Sequence, residues 1–264
     1  MPVTIHDLHA HKERGKRFVM VTAYDVAVAR LLAAAEVPAL LVGDSVGNNH
    51  LGYPTTLPVT MEEMLHHARA VARGAPDQLL IGDMPFGSYQ RSTEQAVANA
   101  SDFVKAGMHG VKMEGGGWVV AVTERLVECG IPVMGHLGLT PQFINAFGGH
   151  RVQGRSPAGR ERILEDAQAL EAAGAFSVVL EGIPRDLAAE VTAALSIPTI
   201  GIGAGPDCDG QVLVVYDLLG MTCGPMPKFV KPYAHLGEAI VAAARAFATE
   251  VADGSYPDDA HSYH

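Results

Sequence analysis

The feature that most constrains this chain is an alternation that persists over nearly its whole length. Short β-branched or aliphatic runs are each followed by a longer Ala-rich amphipathic stretch. The pattern predicts eight strands, near Phe18–Thr22, Ala39–Gly43, Leu79–Asp83, Gly110–Glu114, Pro132–His136, Ser177–Glu181, Pro198–Ile202 and Val212–Val215. It predicts helices near Asp25–Ala35, Thr60–Ala72, Thr93–Ala106, Val119–Cys129, Arg160–Ala173, Asp186–Ala194 and Leu236–Val251. Gly74, Gly107, Gly130 and Gly174 each follow an apolar-periodic segment, where a residue able to take φ > 0 closes the last helical turn. No linker rich in Pro, Ser or charge divides the 264 residues. The expected fold is therefore an α/β (β/α)8 TIM barrel, one domain over 1–264, with an open doubly wound sheet as the alternative. Residues 1–16 form an N-terminal extension whose helix, Ile5–Arg14, could cover the barrel bottom, and 255–264 is a polar tail expected to fray.

Composition narrows the function classes. Hydrophobic residues make up 48% and charged residues 18%, which suits a buried core and excludes disorder as the main state. The formal charge of −10 and the absence of any Lys/Arg concentration argue against a nucleic-acid partner. No apolar run is long enough to span a bilayer, and Met1-Pro2-Val3-Thr4 lacks the regions of a signal peptide, so no membrane partner and a cytoplasmic location are expected. Cys129, Cys208 and Cys223 lack metal-binding spacing and are expected to be free, buried thiols.

Two strands end alike, Leu40-Leu41-Val42-Gly43-Asp44 and Leu79-Leu80-Ile81-Gly82-Asp83. A third, Val111-Lys112-Met113-Glu114, places Lys112 and Glu114 two residues apart, on one face of the strand. In barrels the C-terminal strand ends build the active site, so Asp44, Asp83 and Glu114 should converge although distant in sequence. Three converging carboxylates repel one another, and the simplest remedies are the Lys112 ammonium or a divalent cation. Oxygen ligands without paired thiolates point to Mg²⁺ rather than Zn²⁺. The alternative is that Asp44 and Asp83 merely cap the helices that follow.

Other strand-end residues join this set. Ser45 could bind a substrate carboxylate or cap the next segment. His136 could donate a hydrogen bond to the reacting region or be a core histidine bonded to a carbonyl. Glu181 closes an apolar run, where partial desolvation suits a general base; its alternative is a salt bridge to Arg185. Gly201–Gly205 lies where barrels often bind phosphate but could equally be a tight turn, and it is no dinucleotide fingerprint. His6, His9 and His11 are read as solvated surface residues. Of the 29 glycines, Gly43, Gly82, Gly135 and the Gly201–Gly205 loop are expected to leave space at the barrel mouth.

These phrases closely resemble the ketopantoate hydroxymethyltransferase family. The resemblance runs almost end to end: Val21-Thr22-Ala23-Tyr24-Asp25, Leu41-Val42-Gly43-Asp44-Ser45, Asp83-Met84-Pro85-Phe86-Gly87-Ser88-Tyr89, Val111-Lys112-Met113-Glu114-Gly115-Gly116, and Gly135-His136-Leu137-Gly138-Leu139-Thr140-Pro141-Gln142. It continues in Val152-Gln153-Gly154-Arg155, Cys208-Asp209-Gly210-Gln211 and Pro227-Lys228-Phe229-Val230-Lys231. Asn48 to Tyr53 is more polar and aromatic than the family pattern, in a loop that could shape folate access.

The resemblance implies a barrel enzyme that moves a hydroxymethyl group from 5,10-methylenetetrahydrofolate to 3-methyl-2-oxobutanoate. The product is 2-dehydropantoate, on the route to pantothenate and coenzyme A. It implies Mg²⁺ at Asp44, Asp83 and Glu114, substrate contacts from Asp44, Ser45, Asp83 and Lys112, Glu181 as proton acceptor, and a homodecamer built from dimers. The expected partners are small-molecule substrates and further copies of the chain. A Mg²⁺-dependent carbon–carbon lyase of a related α-keto acid, and a non-catalytic oligomeric binding protein, are the alternatives.

Overall fold

The computed structural model describes residues 2–222, 224 and 226–264. By its contacts the chain divides into one unit ending at Val214 and a second, Val215–His264.

The first unit is the barrel. Its elements are α1 (Ile5–Glu13), β1 (Phe18–Thr22), α2 (Val26–Ala34), β2 (Ala39–Val42), α3 (Met61–Gly74), β3 (Leu79–Asp83), α4 (Thr93–Lys105), β4 (Gly110–Glu114), α5 (Trp118–Glu128), β5 (Val133–Gly138), α6 (Ile144–Phe147), α7 (Pro157–Ala172), β6 (Ser177–Glu181), α8 (Arg185–Ala194), β7 (Thr199–Ile202) and β8 (Gly210–Leu213). The eight strands form a closed parallel barrel in chain order, β1 pairing with β8. The doubly wound alternative is thereby set aside. The eighth strand begins earlier than expected because Gly210 pairs with both Phe18 and Ile200, and Val215 has already left the sheet. A π-helical turn, Gly47–Leu51, and a 3-10 turn, Pro141–Phe143, carried no periodic signal.

Alternation along the strands divides the barrel into layers. Phe18 and Met20, Ala39 and Leu41, Leu79 and Ile81, Met134, Val179, Ile200 and Val212 share one buried cluster. Leu8 of α1 lies fully buried in the same cluster, so the N-terminal helix does plug the barrel, with about 1.5–3 kcal/mol from that side chain. Lys12, also on α1, reaches Asp209 at 2.9 Å and the Thr192 carbonyl at 3.0 Å, tying the plug to the wall. Two residues farther along the same faces the apolar side chains give way to Asp83, His136 and Glu181, and on β4 to Lys112 and Glu114. The intervening residues face the helices: Leu137, Val178 and Leu180 pack with Ile163, Leu170, Leu187 and Val191.

This alternation corrects the reading of two glycines. A Cβ on Gly82 would lie 2.4 Å from the Phe103 ring of α4, and one on Gly135 2.9 Å from Leu170 of α7. Both glycines make room for helices, because the neighbours that face inward are Asp83 and His136. Gly43 does sit at the mouth, where a Cβ would come 2.8 Å from the Ser45 hydroxyl. Cys208 is buried as expected, but Cys129 is exposed, because it caps the solvent end of α5. Cys223 lies outside the described residues.

The second unit contains α9 (Val215–Leu218) and α10 (Leu236–Asp253), linked by hydrogen bonds from Tyr233 and Leu236 to the carbonyls of Leu218 and Leu219. The polar tail lays Tyr256 against Phe247 and closes in a 3-10 turn, Asp259–His261. Among the described residues no helix is long and apolar enough to cross a membrane.

Candidate active site

Strand register assembles the polar layer. Asp83 lies beside Lys112 across β3 and β4, and Glu114 beside His136 across β4 and β5. The Lys112 ammonium sits 2.7 Å from Asp83 Oδ1 and 3.7 Å from Glu114 Oε1. The His136 ring spans two carboxylates, its Nδ1 3.3 Å from Glu114 and its Nε2 3.2 Å from Glu181 Oε2. Glu181 is brought close by Gly138, whose φ of +94° and whose hypothetical Cβ, 2.2 Å from the Glu181 carbonyl, leave room for no side chain. Asp44 joins through its backbone N–H, which donates to Asp83 Oδ2 at 3.2 Å.

Several alternatives are thereby decided. Thr60 and Ser92 cap α3 and α4, so neither Asp44 nor Asp83 is spent as a helix cap. His136 meets carboxylates rather than a carbonyl. Arg185 pairs with Asp207 at 2.7 Å, leaving Glu181 to His136. Ser45 bonds through its hydroxyl to Tyr24 Oη at 2.8 Å. Gly203 and Gly205 both take positive φ, which a tight turn and an anion-binding loop share. His6 is exposed, and His9 and His11 are half-buried.

The structure adds residues that strand-end reasoning missed. Gln142, buried on the 3-10 turn after β5, uses its whole amide: Nε2 donates to Asp44 Oδ2 and to the Met84 carbonyl, each at 2.9 Å, while Oε1 accepts from Tyr89 Oη at 2.8 Å and Gln90 Nε2 at 3.2 Å. Its backbone N–H donates to Glu114 Oε2 at 2.9 Å. Tyr89 in turn brackets the Glu114 backbone, accepting from its N–H at 3.1 Å. The only sequence sign of either was its place inside a family-like phrase.

Four carboxylates, Asp44, Asp83, Glu114 and Glu181, thus surround two cationic groups, Lys112 and His136. Burial opposes the charge of Lys112, but the carboxylates of Asp83, Glu114 and Asp44 outweigh it and hold the ammonium above the ordinary lysine range. Burial and Lys112 also oppose protonation of His136, yet Glu114 and Glu181 bring it up to about 9. Burial would push Glu114 up, but His136 and Lys112 hold it below the usual carboxylate range. Asp83 is raised, chiefly by burial, with Lys112 opposing. Asp44 rises well above its ordinary value, through burial and then through Asp83 and Glu114.

Among the described residues no three His, Cys, Asp or Glu side chains form a ready-made metal cage. Asp44 and Asp83 nevertheless fit a hard cation that keeps part of its water, since Mg²⁺ usually takes one or two carboxylates and leaves the remaining positions to water and substrate. Asp83 Oδ1 is buried against the Lys112 ammonium, 2.7 Å away.

The family described as ketopantoate hydroxymethyltransferase matches residues 2–259. Relatives named 3-methyl-2-oxobutanoate hydroxymethyltransferase include those of Acidothermus cellulolyticus, 56% identical over 99% of this chain and 96% of the relative, and Moorella thermoacetica, 55% identical over 99% and 97%. Among solved structures, a phosphonopyruvate hydrolase with oxalate and Mg²⁺ superposes with a TM-score of 0.65 at 17% identity, covering 100% of this chain and 92% of that one. A 2,3-dimethylmalate lyase superposes with a TM-score of 0.63 at 18% identity, covering 99% and 89%; both likenesses concern the fold alone. The match across residues 2–259 and identities above one half over nearly the whole length show that the chain belongs to the ketopantoate hydroxymethyltransferase family.

Proposed function

We propose that the chain transfers a hydroxymethyl group from 5,10-methylenetetrahydrofolate to 3-methyl-2-oxobutanoate, giving 2-dehydropantoate, the first step toward pantothenate and coenzyme A. The observation that carries this reading is the charge imbalance: four clustered carboxylates face two cationic groups, and Asp44, whose side chain accepts from the neutral Gln142 amide, shares the Lys112 charge with Asp83 and Glu114. A Mg²⁺ held by Asp44 and Asp83 would supply that charge and polarise the keto oxygen of an α-keto acid. Glu114, engaged by His136 and the Gln142 N–H, fits a role behind those two ligands.

The protein's own groups suit an enolate reaction. Lys112, buried and kept protonated, adds positive charge where the keto oxygen becomes negative. Ser45, on the residue after Asp44, is placed to receive the substrate carboxylate, its hydroxyl oriented by Tyr24. Glu181 takes the C3 proton, and His136 holds its carboxylate in position through Nε2. The C3 carbon then attacks the donor's methylene carbon; a carbon–carbon bond forms, the donor's two carbon–nitrogen bonds break, water supplies the hydroxyl, and the C3 proton and the remaining water proton end on the two donor nitrogens. The family implies a homodecamer, and the apolar residues Ile240, Val241, Phe247 and Val251 of α10 suit a contact with a further copy of the chain. The direct test incubates the chain with Mg²⁺, 3-methyl-2-oxobutanoate and methylenetetrahydrofolate and measures 2-dehydropantoate. C3 proton exchange without donor-dependent product would favour a lyase instead.

A further inference from the structure

Strand β3 stops at Asp83, short of what β4 requires. Met84 N–H still donates to the Lys112 carbonyl at 3.0 Å, so Lys112 turns its backbone polar groups toward β3. By the period of two, Glu114 turns its own the same way. The chain of β3 has left by then: the Met84 carbonyl accepts from Gln142 Nε2, and Pro85 carries no N–H. On its other side β4 continues its ladder with β5, Gly115 N–H donating to the His136 carbonyl at 2.9 Å. The Glu114 backbone thus faces a gap in the barrel wall, at the residue whose side chain meets both Lys112 and His136.

Tyr89 fills that gap. Its side chain is fully buried, and its hydroxyl accepts from the Glu114 N–H at 3.1 Å, lies 3.2 Å from the Glu114 carbonyl and donates to Gln142 Oε1 at 2.8 Å. The phenol has a single proton, and the shorter contact gives it to Gln142. That bond occupies Gln142 Oε1 and turns Nε2 toward Asp44 Oδ2, 2.9 Å away. One oxygen therefore touches both the backbone beneath Glu114 and the amide that orients Asp44. Trp118, the chain's only tryptophan and the first residue of α5, stacks on the Tyr89 ring with centroids 5.9 Å apart. The ring is held from outside, independently of its hydroxyl.

We propose that the Tyr89 hydroxyl is a positioning group for the transfer reaction: it replaces the missing strand partner of Glu114 and orients the Gln142 amide, so that Glu114 and Asp44 keep their places around Lys112. The assignment rests on the reaction and the cation site proposed above. Tyr89 acts at a distance from the chemistry, through Gln142 on Asp44 and through the β4 backbone on Glu114.

The test uses the full chain at a temperature where every variant is folded by circular dichroism. Tyr89→Phe removes one oxygen and keeps the ring on Trp118, so Trp118 emission should stay at the wild-type wavelength. The Kd for Mn²⁺, followed by electron paramagnetic resonance, should rise about fivefold, within the range of one neutral hydrogen bond. C3 proton exchange of 3-methyl-2-oxobutanoate at saturating Mg²⁺ and keto acid should slow by a similar factor. In a Gln142→Met background the same substitution should change the Mn²⁺ Kd less than about twofold, because the route to Asp44 is already cut. A bond of merely structural value would lower the Tm and leave the Kd and the exchange rate at their wild-type values. That result, or equal effects on Kd in the two backgrounds, would overturn the assignment. A wild-type chain that binds Mn²⁺ but makes no 2-dehydropantoate would overturn the reaction instead, and the Mn²⁺ comparison would still decide the role of Tyr89. A wild-type chain that binds no Mn²⁺ would remove the cation site and this assignment with it.

Discussion

Gln142 offers the sharpest test of how the site is held. Replacing it with Met keeps most of its volume and removes every hydrogen bond of its side chain. The losses are unequal. Tyr89 Oη keeps its contacts with the Glu114 backbone, and Gln90, half-buried, can turn toward water. Asp44 Oδ2 and the Met84 carbonyl, both buried, lose donors 2.9 Å away. With roughly 1.5–3 kcal/mol for the bond to a carboxylate and about 1 for the carbonyl, the variant should be destabilised by about 3 kcal/mol. For a chain of this size that is roughly 6–12 °C in Tm. The Asp44 carboxyl, already raised by burial and its acidic neighbours, also loses a bond that favours its charged form. Its affinity for a cation should therefore fall. Thermal melts with and without Mg²⁺, and Mn²⁺ titration followed by electron paramagnetic resonance, measure the two effects. Gln142→Glu separates hydrogen bonding from shape, because it sets a carboxylate against Asp44 with almost no change of volume. If both variants melted within about 2 °C of wild type with unaltered cation affinity, the amide would not be the cross-brace between Asp44 and Glu114.

The remaining predictions concern the base, the cation, the packing of β3 and the barrel plug. Glu181→Gln should slow C3 proton exchange by about 10²–10⁴-fold with the keto acid's KM little changed; exchange at the wild-type rate removes Glu181 from the base role. Asp83→Asn should weaken Mg²⁺ activation about 10–100-fold, read from activity against Mg²⁺ concentration, and an unshifted curve counts against a ligand there. Gly82→Ala forces a Cβ to 2.4 Å from the buried Phe103 ring and should cost about 1–3 kcal/mol in urea unfolding. Asp209→Ala removes the partner of both Lys12, at 2.9 Å, and the Thr199 N–H, at 2.8 Å. Its cost should be about 2–3 kcal/mol, with faster hydrogen exchange in α1; unchanged exchange in α1 would show that Leu8 holds the plug alone.

Much of this was legible because strands and barrels convert short-range order into position. Lys112 and Glu114 share a face by the period of two, and Asp83 follows Ile81 into the barrel by the same rule. The rule also contains the correction to Gly82 and Gly135: once Asp83 and His136 face inward, the residues before them must face the helices. What it cannot supply is register. That Glu114 stands beside His136, 22 residues on, depends on how two strands align, and nothing local specifies it. Gln142 was less legible still, since the side chains and carbonyl it joins lie 98, 58 and 53 residues away along the chain. The sequence showed three carboxylates in need of neutralisation, and Lys112 as one remedy. The structure brings in Glu181 through His136 as a fourth, and distributes the available positive charge unevenly: Glu114 receives enough to stay ionised, whereas Asp44 receives a neutral amide. A neutral donor orients a carboxylate without cancelling its charge, and a residue treated in that way is suited to a ligand that brings the charge with it.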